Sequence, residues 1–300
     1  MPIVTRIDEV RAAVDEARRR GARIGFVPTM GALHAGHLSL VREARRRTGG
    51  GGGRGYVVLS VFVNPTQFGP GEDFDAYPRD LQRDARLAEE AGVDLVFAPA
   101  ARELYPEGFR TRVEVTQLSE PLCGRARPGH FAGVALVVAK LLNIVRPDLS
   151  VFGQKDAQQA VIVRRLARDL SLPGEIVVAP TVRELDGLAM SSRNAYLSSD
   201  QRRAARAISR GLFAAAGAWS EGERDAARLV ALVRDSIAAE SLLAPEYVEM
   251  VGAEDLSPWT GEGPALLAVA ARCGPTRLID NVVLAPSPVG ALETPAREGR

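Results

Sequence analysis

His34 and His37 are two of only three histidines in a chain of 300 residues. They stand three positions apart in Pro28-Thr29-Met30-Gly31-Ala32-Leu33-His34-Ala35-Gly36-His37. The run follows the apolar Ile24-Gly25-Phe26-Val27 and precedes Ser39-Leu40-Val41-Arg42-Glu43-Ala44, which reads as helix. A strand, a turn of small residues and a helix opening on paired imidazoles make a device for holding phosphate. Amide groups at a helix N-terminus lack intrahelical partners and point at any anion placed there. Residues three apart share a helix face, so both rings reach one phosphate chain. Gly36 between them lets a ring or backbone approach closely. Helix capping and zinc are the competing uses. Caps draw on Ser, Thr, Asp or Asn. Zinc needs three or four protein ligands, yet only His130 is left among the histidines and no HExxH occurs. Phosphate is the favoured reading.

Three more clusters fit the same chemistry. Phe152-Gly153-Gln154-Lys155-Asp156 falls where a strand gives way to a helix. Ligands of parallel sheets gather beyond the carboxyl ends of the strands, so Lys155 shares an edge with His34 and His37 and offers a point charge. Met190-Ser191-Ser192-Arg193-Asn194 brings two hydroxyls and a guanidinium, donors that add no negative charge. Asn64 and Gln67, in Val63-Asn64-Pro65-Thr66-Gln67-Phe68, supply amides suited to a hydroxyl-bearing organic acid, and Gln159 adds another. Read one at a time, these are an exposed lysine, an ordinary loop and plain polarity; their value lies in combination. No Ser-His-Asp, Cys-His or paired-carboxylate arrangement is apparent. Neutral and positive donors aimed at anions stabilise a transition state electrostatically.

The elements that must position these groups alternate. The spacing predicts helices at Arg6–Arg20, Gly36–Arg47, Asp80–Ala91, Phe131–Val145 and Asp156–Leu170. Strands are predicted at Ile24–Pro28, Tyr56–Val63, Asp94–Ala98, Ser150–Gly153 and Glu175–Ala179, with a further one near Arg112–Thr116. The run Val57-Val58-Leu59-Ser60-Val61-Phe62-Val63 lacks clean alternation, as when both faces of a sheet are covered. The fold class is α/β, a Rossmann-like, doubly wound parallel sheet. After Val182 the pattern changes. Ser198-Ser199-Asp200-Gln201 opens a long helix as a capping box, and Asp225–Glu240 follows as a second helix. Strands at Tyr247–Gly252, Ala265–Arg272 and Thr276–Leu284 then make a smaller α+β C-terminal domain. The division is 1–182, 183–285 and a disordered tail at 286–300 rich in Pro, Gly and charge. Gly50-Gly51-Gly52-Gly53-Arg54-Gly55 satisfies GxGxxG but follows a helix and precedes a strand, so it is a connector. The apolar helix Phe131–Val145 reads as core rather than interface. His130, just before it, reads as a structural hydrogen-bonding residue.

The totals exclude other classes. A formal net charge of +1 gives no field for nucleic acid or anionic membrane. Cys123 and Cys273 lie far apart without a CxxC partner, which argues against a disulfide or a cysteine-rich metal site. Early Asp8 and Glu9 without a long apolar stretch argue against a signal peptide, and the apolar run at Ala132–Ala139 is too short for a bilayer. A cytoplasmic protein is expected.

Together the motifs resemble the pantoate–β-alanine ligase (pantothenate synthetase) family. The residues that carry the likeness are Pro28–Gly31 with His34–His37, Phe62–Pro65 with Gln67-Phe68, and Asp75–Arg79. Arg127–Phe131, Phe152-Gly153 with Lys155-Asp156, Met190–Asn194 and Arg277–Asn281 complete them. The resemblance implies the fold of HIGH-type nucleotidyltransferases and an ATP-driven joining of pantoate to β-alanine through pantoyl adenylate, with AMP and pyrophosphate released. It implies an ATP site at Met30, Gly31, Ala32, Leu33, His34, Ala35, Gly36 and His37, with Gly153, Gln154, Lys155, Asp156, Val182, Met190, Ser191, Ser192 and Arg193. His37, His34 and Lys155 fall in the catalytic set. Gln67 falls on pantoate and β-alanine, Gln159 on pantoate, and Asn64 among the substrate-binding amides. Magnesium, a homodimer and a C-terminal domain closing over ATP are likewise implied. Gln154 and Ala157 depart from the family's usual Glu and aromatic. A cytidylyltransferase-like enzyme and a silent ATP-binding regulator are the rival readings.

Overall fold

A computed structural model describes residues 1–49 and 55–285. The glycine-rich connector at 50–54 and the 286–300 tail lie outside the described residues. The chain begins with β1 (Ile3–Val4), α1 (Ile7–Arg19), β2 (Arg23–Thr29), α2 (Ala35–Gly49) and β3 (Gly55–Val61). It continues through α3 (Leu81–Glu90), β4 (Leu95–Phe97) and the one-turn helices α4 (Ala101–Leu104) and α5 (Cys123–Ala126). Then come α6 (His130–Val145), β5 (Leu149–Gly153), α7 (Ala157–Asp169) and β6 (Glu175–Ala179). These six strands form one parallel sheet in the order β1-β4-β3-β2-β5-β6.

Both faces of that sheet are covered, which explains the unbroken apolar runs. In β3, Val57 and Leu59 pack toward α2 and α3, while Val58 packs toward α1 and α6. The apolar helix α6 buries Val134, Ala135, Val138, Leu141 and Leu142 in the same core, so it is core as its composition predicts. The segment Arg112–Thr116 joins no strand ladder among the described residues. Its alternation mimics a strand, but of its two valines only Val115 is buried in the core, and the segment pairs with none of the described strands.

The C-terminal part holds α8 (Ser199–Ser220), α9 (Ala226–Ala238), β7 (Leu243–Gly252), β8 (Ala265–Cys273) and β9 (Thr276–Leu284). Ser198 and Gln201 form the reciprocal capping box that starts α8. The three strands pair antiparallel in the order β7-β8-β9. This sheet is also covered on both faces. Leu267, Val269 and Ala271 of β8 pack on α8 and α9, while Leu266, Ala268 and Ala270 join the core of the first sheet. The smaller unit is therefore built into the larger one through a shared apolar layer. No helix among the described residues is long and apolar enough to cross a membrane.

Candidate active site

The sheet order reverses at β2, where β3 lies on one side and β5 on the other. Beyond the carboxyl ends of β2 and β5 lies a crevice of about 210 Å³, at the place an open parallel sheet offers to a ligand. His34 and His37 enter it from the β2 end and Lys155 from the β5 end. Ser191, Ser192 and Arg193 cover it from the short turn Ser192–Tyr196.

The two imidazoles lie with ring centroids 4.1 Å apart and planes tilted by 32°. Gly36 makes that approach possible, since a Cβ there would sit 2.8 Å from His34 Cε1. The Gly36 amide donates to His34 Nδ1 at 3.1 Å, which puts the proton of the neutral ring on Nε2 as a donor. Nδ1 of His37 is buried without a partner among the described residues. Burial, aided by Lys155, pushes His34 down to about 4. Burial, with His34 and Lys155 beside it, pushes His37 down to about 3. Both rings are thus neutral donors and not cations at physiological pH.

The loop before α2 is held from inside by Asp84 of α3. Its buried carboxylate accepts from the Ala32 amide at 2.8 Å and the Leu33 amide at 2.7 Å. Gly31 at φ +82° is required, because a Cβ would fall 2.8 Å from Asp84 Oδ2. Thr29 Oγ1 accepts from the Gly31 amide at 3.1 Å. The amides of Gly31, Ala32, Leu33 and Gly36 are therefore spent within the protein. These four of the backbone donors that the sequence offers to an anion are taken, whereas the imidazoles of His34 and His37 line the crevice.

The crevice also has an apolar lining of Val134, Val137, Val138, Leu141 and Phe152, with Met30 and Leu40. Gln67 and Gln159 bring amides to it. Gln67 is oriented by Asn64, whose Nδ2 donates to Gln67 Oε1 at 3.0 Å and to the Gly133 carbonyl at 3.1 Å. Asn64 Oδ1 accepts from Tyr105 and Thr66 hydroxyls at 2.8 and 3.0 Å. The Asn64 amide is thereby used up in shaping the loop. Gln67 Nε2 is left as the donor, its one polar contact among the described residues being Met30 Sδ at 3.2 Å.

His130 sits behind this loop, where its Nδ1 donates to the Gln67 carbonyl at 2.8 Å and its Nε2 accepts from Arg127 at 3.1 Å. Arg127 is in turn held by both oxygens of Glu72 at 2.6 Å. Burial and the adjacent guanidinium push His130 down to about 4. All three histidines thus titrate near 3 to 4 when folded, against 6.5 for an unperturbed imidazole. Between those values the unfolded chain binds more protons. Their contribution is complete above about pH 6.5 and is lost as pH falls toward the folded values. The urea midpoint is expected to drop steadily from pH 7 to pH 5, each histidine contributing up to about 1.4 kcal/mol per pH unit. A midpoint unchanged over that range would contradict the neutral assignment.

Several residues of the sequence-derived set stand apart from the crevice wall. Leu33 is wholly buried in the core, Gly31 and Ala32 turn toward Asp84, and Ala35 faces solvent. The Gln154 side chain donates instead to Asn281 of β9 at 3.0 Å. Met30, Gly153, Lys155, Asp156, Val182, Met190 and the Ser191–Arg193 turn do line it. Arg193 spends its guanidinium on Asp73, with bonds of 2.9 and 2.8 Å, and Ser192 lies 3.2 Å from the Tyr77 hydroxyl. Sequence reasoning passed over Pro180 and Thr181, which line the crevice just past β6. Thr181 Oγ1 is buried without a partner among the described residues. The strand-end rule that located Lys155 applies equally to β6. Asp84 carries no such signal, because its spacing matches an ordinary helix face.

Comparison with known proteins identifies the family. The sequence model of the Pantoate-beta-alanine ligase family matches residues 2–283. A pantothenate synthetase of Pelotomaculum thermopropionicum is 55% identical over 285 residues, covering 95% of this chain and 99% of that protein. One from Moorella thermoacetica is 52% identical over 285 residues with the same coverage. Among solved structures, pantothenate synthetase from Thermus thermophilus is 47% identical with a TM-score of 0.88, over 95% of this chain and 100% of that one. Pantoate-beta-alanine ligase from Francisella tularensis, complexed with beta-gamma ATP and beta-alanine, is 31% identical with a TM-score of 0.76, over 94% and 97%. This chain belongs to the pantoate–β-alanine ligase family.

Proposed function

We propose that the chain joins pantoate to β-alanine in two steps driven by ATP, through a pantoyl adenylate. The observation that carries this reading is one crevice with two chemically distinct walls. Two neutral imidazoles and Lys155 form the anion wall, and an apolar lining with the Gln67 and Gln159 amides forms the other. The apolar lining suits the dimethyl-bearing carbon of pantoate, and the amides suit its hydroxyl and carboxylate.

In the first step a pantoate carboxylate oxygen bonds to the α-phosphorus as the bond to the pyrophosphate oxygen breaks. Charge grows on the phosphate oxygens, where the imidazole N–H groups and the Lys155 ammonium stabilise it in a site already organised for that purpose. His37 takes the catalytic position, His34 supports the phosphates, and Gly153, Asp156, Val182 and Met190–Arg193 contact the nucleotide. In the second step the amine of β-alanine bonds to the acyl carbon, the acyl–oxygen bond breaks, AMP departs with that electron pair, and the amine loses a proton.

Among the described residues no three His, Cys, Asp or Glu side chains gather as a metal site. The magnesium implied by the resemblance therefore has no protein cage among them. A homodimer extends the proposal from the resemblance alone, and a cytoplasmic location extends it from the reading of the sequence. The test is isotope exchange between pyrophosphate and ATP with pantoate present and β-alanine absent. Exchange that requires pantoate, with ¹⁸O passing from the pantoate carboxylate into AMP once β-alanine is added, is the expected result. ADP as the product, or no exchange, would overturn the reading.

A further inference from the structure

Asn281 lies on β9 of the C-terminal unit, 4% exposed, yet every polar atom of its side chain is engaged with the Lys155 loop. Its Nδ2 donates to the carbonyls of Gln154 at 3.0 Å and Lys155 at 2.9 Å, and its Oδ1 accepts from Gln154 Nε2 at 3.0 Å. Its own amide donates to Asp280 Oδ1 at 2.8 Å, and Asp280 is held bidentate by Arg183. The loop it grips is a single short turn, Gln154–Asp156, between β5 and α7. Within that turn no side-chain cap is made. The conformation of the backbone that carries Lys155 therefore depends on a residue from the other sheet.

We propose that Asn281 is a positioning residue for Lys155, so that the C-terminal unit forms part of the anion wall and fixes where its cation stands. This rests on the role given above to Lys155. Two carbonyls fix two points of the loop backbone, which sets the direction in which the lysine stem leaves the turn. The shared apolar layer beneath β8 keeps β9 in register with the loop. An aspartate at 281 is nearly the same shape but has no donor for the two carbonyls, so both would face a carboxylate in a closed site.

The test is a double-mutant cycle of Asn281→Asp with Lys155→Ala, read by calorimetric affinity for an ATP analogue that resists cleavage between its α and β phosphorus atoms. Pantoate-dependent exchange is read in parallel. Asn281→Asp is expected to weaken nucleotide binding or the exchange rate about ten-fold or more in the unchanged background, and less than about three-fold when Lys155 is already alanine. Equal losses in both backgrounds would mean a merely structural role and overturn the proposal, as would no loss in the first. If the aspartate variant fails to fold, Asn281→Ser, which keeps one hydroxyl donor, carries the same cycle. Failure of the functional reading is distinguishable: the unchanged protein would then show no exchange, while the affinity cycle still reports the coupling.

Discussion

Replacing His37 with alanine is expected to lower the rate of pantoate-dependent pyrophosphate exchange by about 10² to 10³, or 3–4 kcal/mol of transition-state stabilisation. The fold should survive, because the ring lies at the crevice and leaves no apolar core position empty. Loss of a neutral donor at the reacting phosphates affects the chemical step more than ground-state binding, so kcat falls further than the affinity for ATP. The pH profile is the second readout. With His37 near 3 and His34 near 4, both rings are neutral across the physiological range. The profile of kcat/KM, which reports the free enzyme, should show no acid limb from these groups until the pH approaches 4. An acid limb centred near the ordinary imidazole value of about 6.5 would mean that the rings gain their protons there, and would contradict their neutral, lowered state. A near-normal rate for His37→Ala would remove the catalytic assignment.

The largest effect on stability is expected at Arg183. Its guanidinium meets both oxygens of Asp280 at 2.6 and 2.9 Å and lies 4.8 Å over the Phe213 ring. Asp280 is 4% exposed, and its burial pushes the carboxyl up against the pull of Arg183. Arg183→Met leaves that carboxyl without its cation and should cost about 3–5 kcal/mol. The sign of the pH dependence follows from the raised value. A carboxyl whose folded pKa exceeds its unfolded one is favoured at low pH and loses stability as pH rises through the folded value. Urea unfolding of Arg183→Met should therefore show a larger deficit at pH 8 than at pH 5. Adding Asp280→Asn to that variant should recover part of the loss. Equal deficits at both pH values would contradict a buried, titrating Asp280.

The parallel sheet was legible because its strands are apolar on both sides, as Val57, Val58 and Leu59 illustrate. The capping box at Ser198 and Gln201 fixed the start of α8 for a local reason that needs no tertiary context. Arg112–Thr116 misled for the complementary reason. Alternation is a local pattern, whereas a strand also needs a neighbour to bond. The strands of the C-terminal sheet were legible from their pattern, but nothing local showed that its second face would join the core of the first sheet.

By itself the sequence determined the chemistry of the crevice. Two imidazoles three apart, a lysine after a strand and a turn with two hydroxyls and a guanidinium are short-range facts, and the sheet rule places them on one edge. Tertiary structure alone decided how those groups are held. Asp84 takes amides that the sequence offered to phosphate, and Asn64 spends its own groups on orienting Gln67. Arg193 rests on Asp73, and Asn281 reaches across from the other sheet to the Lys155 loop. Most of these hydrogen bonds join residues far apart in the chain. The partner depends on where the backbone travels, and no local pattern of residue types records that.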